Sequence, residues 1–289
     1  MKKLKDYLKK AEEEKWAIGQ FNFSDFTQVK GIVEAGKNLK APIILGTSEG
    51  EAKFFGLEEA VAIRDTLRKK TGLPIFLNLD HGKSLEYVKQ AIDAGYDMVH
   101  FDGSKLPLDE NIEITKEVVK CAKEKGCLVE GEVGKIGTDS SKIYNEKFKV
   151  KEEDLTKPDE ALKYVNETKV DLLAISIGNF HGIEVSGICP DLREDLVKEI
   201  KDKISSKAFL VLHGGSGTAE DDIKKVIDAG IRKININTEL RLAFSGNLRR
   251  ALQNDMEEIT PYKFLVEAQN SVQRVVEYKI KLFSSENKA

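Results

Sequence analysis

Eight short apolar runs rich in β-branched and aromatic residues recur along the chain, at 16–21, 42–46, 73–79, 97–101, 127–132, 171–177, 208–212 and 231–236. Each gives way to a polar or glycine-containing turn, and helical periodicity fills the stretches between them. In 84–94, Leu85, Val88, Ala91 and Ile92 fall on one face before Gly95 stops the helix. Gly36, Gly72, Gly126 and Gly230 read as further helix stops. Strand-helix alternation demands parallel pairing through right-handed crossovers, and eight repeats close a sheet on itself without exposed edges. The predicted fold class is therefore α/β, a TIM (β/α)8 barrel. An open doubly wound sheet would carry Gly-x-Gly-x-x-Gly after its first strand, and Gly19-Gln-Phe-Asn-Phe-Ser24 is unlike it.

A chain of 289 residues suits one barrel, so a single domain is expected over 1–289. Two pieces lie outside the alternation. The stretch 3–15, with Leu4, Tyr7, Leu8 and Ala11 on one face, is expected to cap the barrel bottom. A C-terminal helical extension, 261–283, is a candidate subunit contact. The longest connection begins at Gly134, and its part 137–147 is polar and without period, which predicts a mobile lid. With 46 basic and 49 acidic residues, the net charge of -3 offers no basic surplus for nucleic acid or an anionic membrane, leaving small molecules as partners. The opening Met1-Lys2-Lys3-Leu4-Lys5-Asp6 has no apolar core behind it and no apolar run is long enough to span a bilayer, so neither a cleaved signal nor an anchor is expected. Cys121, Cys127 and Cys189 are odd in number and lack Cys-x-x-Cys spacing, against a disulfide framework or thiolate zinc site. A cytoplasmic protein fits.

In such a barrel chemistry gathers where strands end. His81, His181 and His213, three of only four histidines, stand after predicted strands three, six and seven. Three neutral imidazoles with an open fourth position suit a catalytic zinc working as a Lewis acid. His100 sits mid-strand and reads as packed inside the barrel or orienting a ligand. His213-Gly214-Gly215-Ser216-Gly217-Thr218 and Asn235-Ile236-Asn237-Thr238 are the loops after strands seven and eight, where glycines and helix-start amides accommodate phosphate. Asp80 is a proton shuttle, a further ligand, or merely the cap of the helix near Ser84. Asp102 and Glu132, also at strand ends, orient the histidines or form an alternative metal position.

With these motifs in place, the sequence resembles the class II, zinc-dependent ketose-bisphosphate aldolases, the family of fructose- and tagatose-bisphosphate aldolases. The likeness runs nearly end to end through Gly19-Gln-Phe-Asn-Phe, Leu79-Asp-His-Gly, Asp102-Gly-Ser, Glu130-Gly-Glu-Val-Gly, Gly178-Asn-Phe-His-Gly, Leu212-His-Gly-Gly-Ser-Gly and Lys233-Ile-Asn-Ile-Asn-Thr-Glu-Leu-Arg241. The resemblance implies a cytoplasmic lyase of carbohydrate metabolism such as glycolysis, reversibly cleaving fructose 1,6-bisphosphate or a related ketose phosphate to dihydroxyacetone phosphate and an aldehyde. It implies Zn2+ on His81, His181 and His213, Asp80 as acid/base, and Asn235 against the enediolate. Gly182, Gly214, Gly215, Ser216, Asn237 and Thr238 would hold the dihydroxyacetone phosphate part, and Asn22, Ser48 and Arg241 would face the rest of the sugar. A monovalent cation near Gly182 and Gly214 and a homodimer or homotetramer are also implied.

Several positions depart from the family's pattern. After His181-Gly182, where the family has Tyr-Lys with the lysine on a phosphate, stand Ile183, Glu184, Val185 and Ser186. Where fructose-specific members carry Asp-Pro-Arg, this chain has Thr260-Pro261-Tyr262-Lys263. Asn237 occupies the position that is Asp in many fructose-type and Ala in tagatose-type enzymes, and Asp139 is the lid's candidate acid. These departures open the alternatives of tagatose bisphosphate, a ketose without a distal phosphate, or a non-catalytic relative that binds metal or sugar phosphate.

Overall fold

The computed structural model describes residues 2–144, 150–184 and 192–289, with backbone alone at 138–141 and 184. The chain runs α1 (Leu4–Glu14), β1 (Ile18–Asn22), α2 (Phe26–Asn38), β2 (Ile43–Ser48), α3 (Glu49–Phe55), α4 (Leu57–Thr71), β3 (Ile75–Gly82), α5 (Leu85–Ala94), β4 (Met98–Phe101), α6 (Leu108–Lys125) and β5 (Leu128–Val133). It continues with β6 (Thr138–Tyr144), α7 (Pro158–Thr168), β7 (Leu172–Ile175), β8 (His181–Glu184), α8 (Glu194–Ile204), β9 (Phe209–Leu212), α9 (Glu220–Ala229), β10 (Ile231–Ile236), α10 (Thr238–Asn254) and α11 (Pro261–Leu282). Strands β1, β2, β3, β4, β5, β7, β9 and β10 form a closed barrel, parallel at each pairing, a TIM barrel. Each expected run overlaps one of these strands, with β1, β2, β3 and β5 running past the expected ends, β3 as far as Gly82.

The barrel interior changes character along its axis, because alternate residues of a strand face the same side. Near the bottom Ile18, Ile44, Phe76, Met98, Leu172 and Val211 meet Leu4, Tyr7, Leu8 and Ala11 of α1, which closes that end as expected. Two residues further along β1, β3, β4 and β5 the buried side chains are polar: Gln20, Asn78, His100 and Glu130, joined by Lys233 of β10. Another step brings Asn22, Asp80 and Glu132 to the upper rim. The outer face of the strands packs on the helices in one continuous apolar layer.

Two expectations need correction. Gly36 does not stop a helix: α2 runs through it to Asn38, and a side chain there would meet Leu73 and Ile43, so the glycine serves close helix-strand packing. Gly72, Gly95, Gly126 and Gly230 do cap their helices, each at positive φ. The stretch expected as a period-free lid instead contains β6, which pairs in parallel with β8 through Thr138–His181, Ile143–Ile183 and Tyr144–Glu184. Of its described side chains, Lys142 and Ile143 are exposed. The Asp139, Ser140 and Ser141 side chains, Lys147, Val185, Ser186 and Cys189 lie outside the described residues. Among the described residues no helix is long and apolar enough to cross a membrane.

Candidate active site

Successive residues of a regular strand point to opposite faces, so Asp80 and His81 cannot both reach the barrel mouth from an undistorted β3. Between the pairs Leu79–Val99 and Gly82–Phe101, β3 supplies two residues against the single His100 of β4, a bulge. His81 sits at φ 52, in the left-handed region, a conformation that costs a non-glycine residue on the order of 1–3 kcal/mol. Its N–H donates to His100 Nδ1 at 3.2 Å and its ring Nδ1 lies 2.9 Å from Asp102 Oδ2, contacts that hold it there. Asp80 caps no helix: Ser84 does, its Oγ accepting from Tyr87 N–H.

The three histidines converge. His81 Nε2 lies 3.0 Å from His181 Nε2 and 2.9 Å from His213 Nδ1. His81 Nδ1 is committed to Asp102, and His213 Nε2 donates to Glu130 Oε1 at 2.6 Å. His81 Nε2 and His213 Nδ1 therefore turn their lone pairs on one another, which is unfavourable unless a cation stands beside them. Burial works against charge on His81, but the carboxylates of Asp80, Asp102 and Glu132 outweigh it and raise its pKa to about 10. Burial, then the His81 and His213 charges, pushes His181 down to about 3. His213 is lowered by burial and by His81. Three converging imidazole nitrogens, two of them on rings whose other nitrogen meets a carboxylate, Asp102 on His81 and Glu130 on His213, fit a divalent metal. His100, wholly buried, is held at about 3 by burial and faces Glu132 Oε2 at 3.4 Å. Burial and then Asp102 raise Glu132 well above the carboxylate range. It lies 3.9 Å from His81 Nδ1, so Asp102 is the closer orienting partner.

Asp80 stands beside this cluster, its Oδ1 3.9 Å from His213 Nδ1. Burial raises its pKa, yet His81, His213 and Lys233 outweigh that and hold it well below the usual range. Asn235 Nδ2 donates to Oδ1 and Asn22 Nδ2 to Oδ2, both at 2.9 Å. Three further residues in this network carried no expected role. Lys233, fully buried, donates to Glu130 Oε2 at 2.8 Å and to Asn235 Oδ1 at 2.7 Å, linking the partner of a histidine to the partner of Asp80. Glu130 joins it to His213. Glu51 accepts from Asn22 Nδ2 at 3.1 Å and from Arg241 at 2.6 Å. Their signal in the sequence was only polar residues within strand-like runs and a Ser48-x-x-Glu51 capping box.

One cavity is lined by Ser48, Asp80, His81, His181, Gly182, His213, Gly214, Ser216, Asn235, Asn237 and Thr238. Asn22 and Arg241 adjoin it through Asp80 and Glu51, and Gly215 donates to Asn235 O at 3.2 Å. Asn179 Nδ2 donates to His213 O, tying the His181 loop to the His213 loop. Gly214 has φ 67, and a Cβ there would strike the carbonyl of Phe180, so only glycine lets these loops approach. Ser216 Oγ accepts from the amides of Asn237 and Glu239 at the start of α10, both long at 3.3 Å. Those amides are donors an anion can take over.

A family model described as "Fructose-bisphosphate aldolase class-II" matches residues 2–288. Sulfofructosephosphate aldolase of Alkalicoccus urumqiensis is 36% identical over 285 residues, covering 99% of this chain and 97% of its own. Fructose-bisphosphate aldolase of Staphylococcus aureus is 36% identical over 289 residues, covering 99% and 98%. Among solved structures, the YdjI aldolase from Escherichia coli K12 matches with TM-score 0.83 at 29% identity, covering 100% of this chain and 99% of its own.

Proposed function

Because the chain belongs to the class II fructose-bisphosphate aldolase family and is a lyase, we propose that it cleaves and forms a ketose phosphate at one zinc ion held by His81, His181 and His213. The products are dihydroxyacetone phosphate and an aldehyde, and fructose 1,6-bisphosphate or a close relative is the substrate. The observation that carries this reading is the approach of three imidazole nitrogens to about 3 Å beside a buried carboxylate. Zinc, when bound, supplies Lewis-acid polarisation of the ketose carbonyl.

The chain's own residues do the rest. Asp80 takes the hydroxyl proton as the carbon-carbon bond breaks and returns it in synthesis, its two oxygens aimed by Asn22 and Asn235. Asn235, fixed by Lys233, faces the reacting carbons. Gly182, Gly214, Gly215, Ser216, Asn237 and Thr238 hold the phosphate, with a monovalent cation near Gly182 and Gly214. Ser48, Asn22 and Arg241 meet the acceptor end. Asp102 orients His81, and Asp102 with Glu132 offers the alternative metal position; the pair shares His81 with the main cluster.

A panel of ketose phosphates assayed with EDTA and with zinc tests this. Cleavage is expected to fall more than about tenfold in EDTA and to return with zinc. Full activity in EDTA after exhaustive dialysis, or no cleavage of any member with zinc, overturns it. A ketose other than fructose bisphosphate is a second reading, favoured because the sulfofructosephosphate and fructose relatives are equally similar.

We also assign the protein to the cytoplasm, in glycolytic carbohydrate metabolism, as one barrel domain over the whole chain and as a homodimer or homotetramer. Cys121 and Cys127 are unpaired, which suits a reducing compartment. Met256, Ile259, Tyr262 and Val266 are exposed where α10 gives way to α11 and supply an apolar contact surface. Light scattering is expected to give a mass of at least two 32.3 kDa chains, and Ile259→Glu with Tyr262→Glu to lower it. A wild-type monomer at micromolar concentration refutes the assembly.

A further inference from the structure

Glu51 begins as an ordinary capping residue. It occupies the third position of α3, where its Oε2 accepts from Ser48 N–H at 2.8 Å while Ser48 Oγ accepts from Glu51 N–H at 3.3 Å. A cap needs no more than that. Yet the same carboxylate, only 6% exposed, accepts from Asn22 Nδ2, from Arg241 Nη2 at 2.6 Å and, at 3.5 Å, from Asn237 Nδ2. Asn22 divides its amide between Glu51 and Asp80, so Glu51 stands one hydrogen bond from the proton-transferring carboxylate.

The side on which it stands matters. If phosphate lies at Ser216 and the start of α10 and the bond breaks beside Asp80, the acceptor tail runs on toward Asn22, Ser48, Glu51 and Arg241. None of the described residues lining the cavity is lysine or arginine. Arg241, a cation beside it, is ion-paired with Glu51. An anionic tail meets like charge there and must displace a carboxylate from its arginine; a hydroxyl can donate to Glu51 and accept from Arg241 without charge repulsion.

We propose that the Glu51–Arg241 pair makes the acceptor end selective for an uncharged, hydroxyl-bearing aldehyde over a phosphorylated one. The proposal rests on the aldolase reading above, with a single phosphate supplied by the donor half. Glu51 acts as a specificity-determining residue whose charge, more than its cap, sets the choice.

The test runs the zinc-loaded enzyme in the direction of synthesis, from dihydroxyacetone phosphate with glyceraldehyde or with glyceraldehyde 3-phosphate. The wild type is expected to show the higher kcat/KM with glyceraldehyde. In Glu51→Gln, which keeps the size and, with its one amide oxygen accepting from Ser48 N–H, leaves Arg241 without its carboxylate, the ratio is expected to move at least about tenfold toward the phosphorylated acceptor, mainly through its KM. In parallel, deuterium exchange into dihydroxyacetone phosphate in D2O, followed by NMR without acceptor, reports the donor half alone. No exchange in the wild type removes the aldolase reading. Exchange with an unchanged acceptor ratio in Glu51→Gln, or a wild-type preference for the phosphorylated acceptor, removes the role of Glu51 alone. If Glu51→Gln is insoluble, the wild-type ratio decides.

Discussion

Asp80→Asn is expected to lower kcat by about 10²–10⁴-fold while zinc content stays at one per chain. The change keeps the shape and removes the proton acceptor. It also tests the network, because the new amide must present an N–H₂ to a neighbour that is itself a donor. Neither neighbour can turn to receive it. Asn22 Oδ1 already accepts from Gln20 Nε2 at 3.0 Å, and Gln20 Oε1 from Asn78 Nδ2 at 2.7 Å. Asn235 Oδ1 is held by Lys233. A stability loss of about 1–3 kcal/mol should therefore accompany the loss of rate, from one unsatisfied buried donor. Rate within tenfold of wild type in the folded, zinc-loaded variant would remove Asp80 from the reaction.

Lys233→Met should be the most destabilising single change in the barrel interior, by about 3–5 kcal/mol in urea unfolding. It leaves the Glu130 carboxylate buried, bonded only to the ring of His213, with no cation to offset its desolvation. The double variant Glu130→Gln with Lys233→Met removes both charges and should recover much of that stability, a strong non-additivity. Metal affinity should not recover with it. Without a carboxylate on His213 Nε2 and a fixed Asn235, affinity is expected to stay about 10–100-fold below wild type, measured by competition with a chromophoric chelator. A single variant within about 1 kcal/mol of wild type would mean the pair is not the anchor described here.

Much of the site was legible because catalytic residues of a barrel lie at strand ends, and strand ends can be read from local pattern. His81, His181 and His213 were visible in that way, as were Gly214, Ser216, Asn235 and Asn237. What escaped were residues whose part depends on a partner far along the chain. Glu51 has only a local capping pattern to mark it, and its further contact depends on Arg241, 190 residues away, which meets its other oxygen. Lys233 reads as one polar residue within an apolar run, and only its 103-residue link to Glu130 explains why a buried ammonium is tolerated. The segment 138–144 hid for the opposite reason. It pairs with β8 outside the barrel sheet, and its polar letters carry no alternation to mark it.

The sequence alone determined the eightfold alternation, hence the barrel, its plugged bottom and the rim at which the chemistry gathers. Those follow from periods of two and about 3.6 residues, which are local and survive in a string of letters. The tertiary structure decided the aim of the side chains. The bulge that turns Asp80 and His81 to the same mouth, the positive φ of His81 and the commitment of one nitrogen on His81 and on His213 to a carboxylate all depend on neighbours brought close only by closure of the sheet.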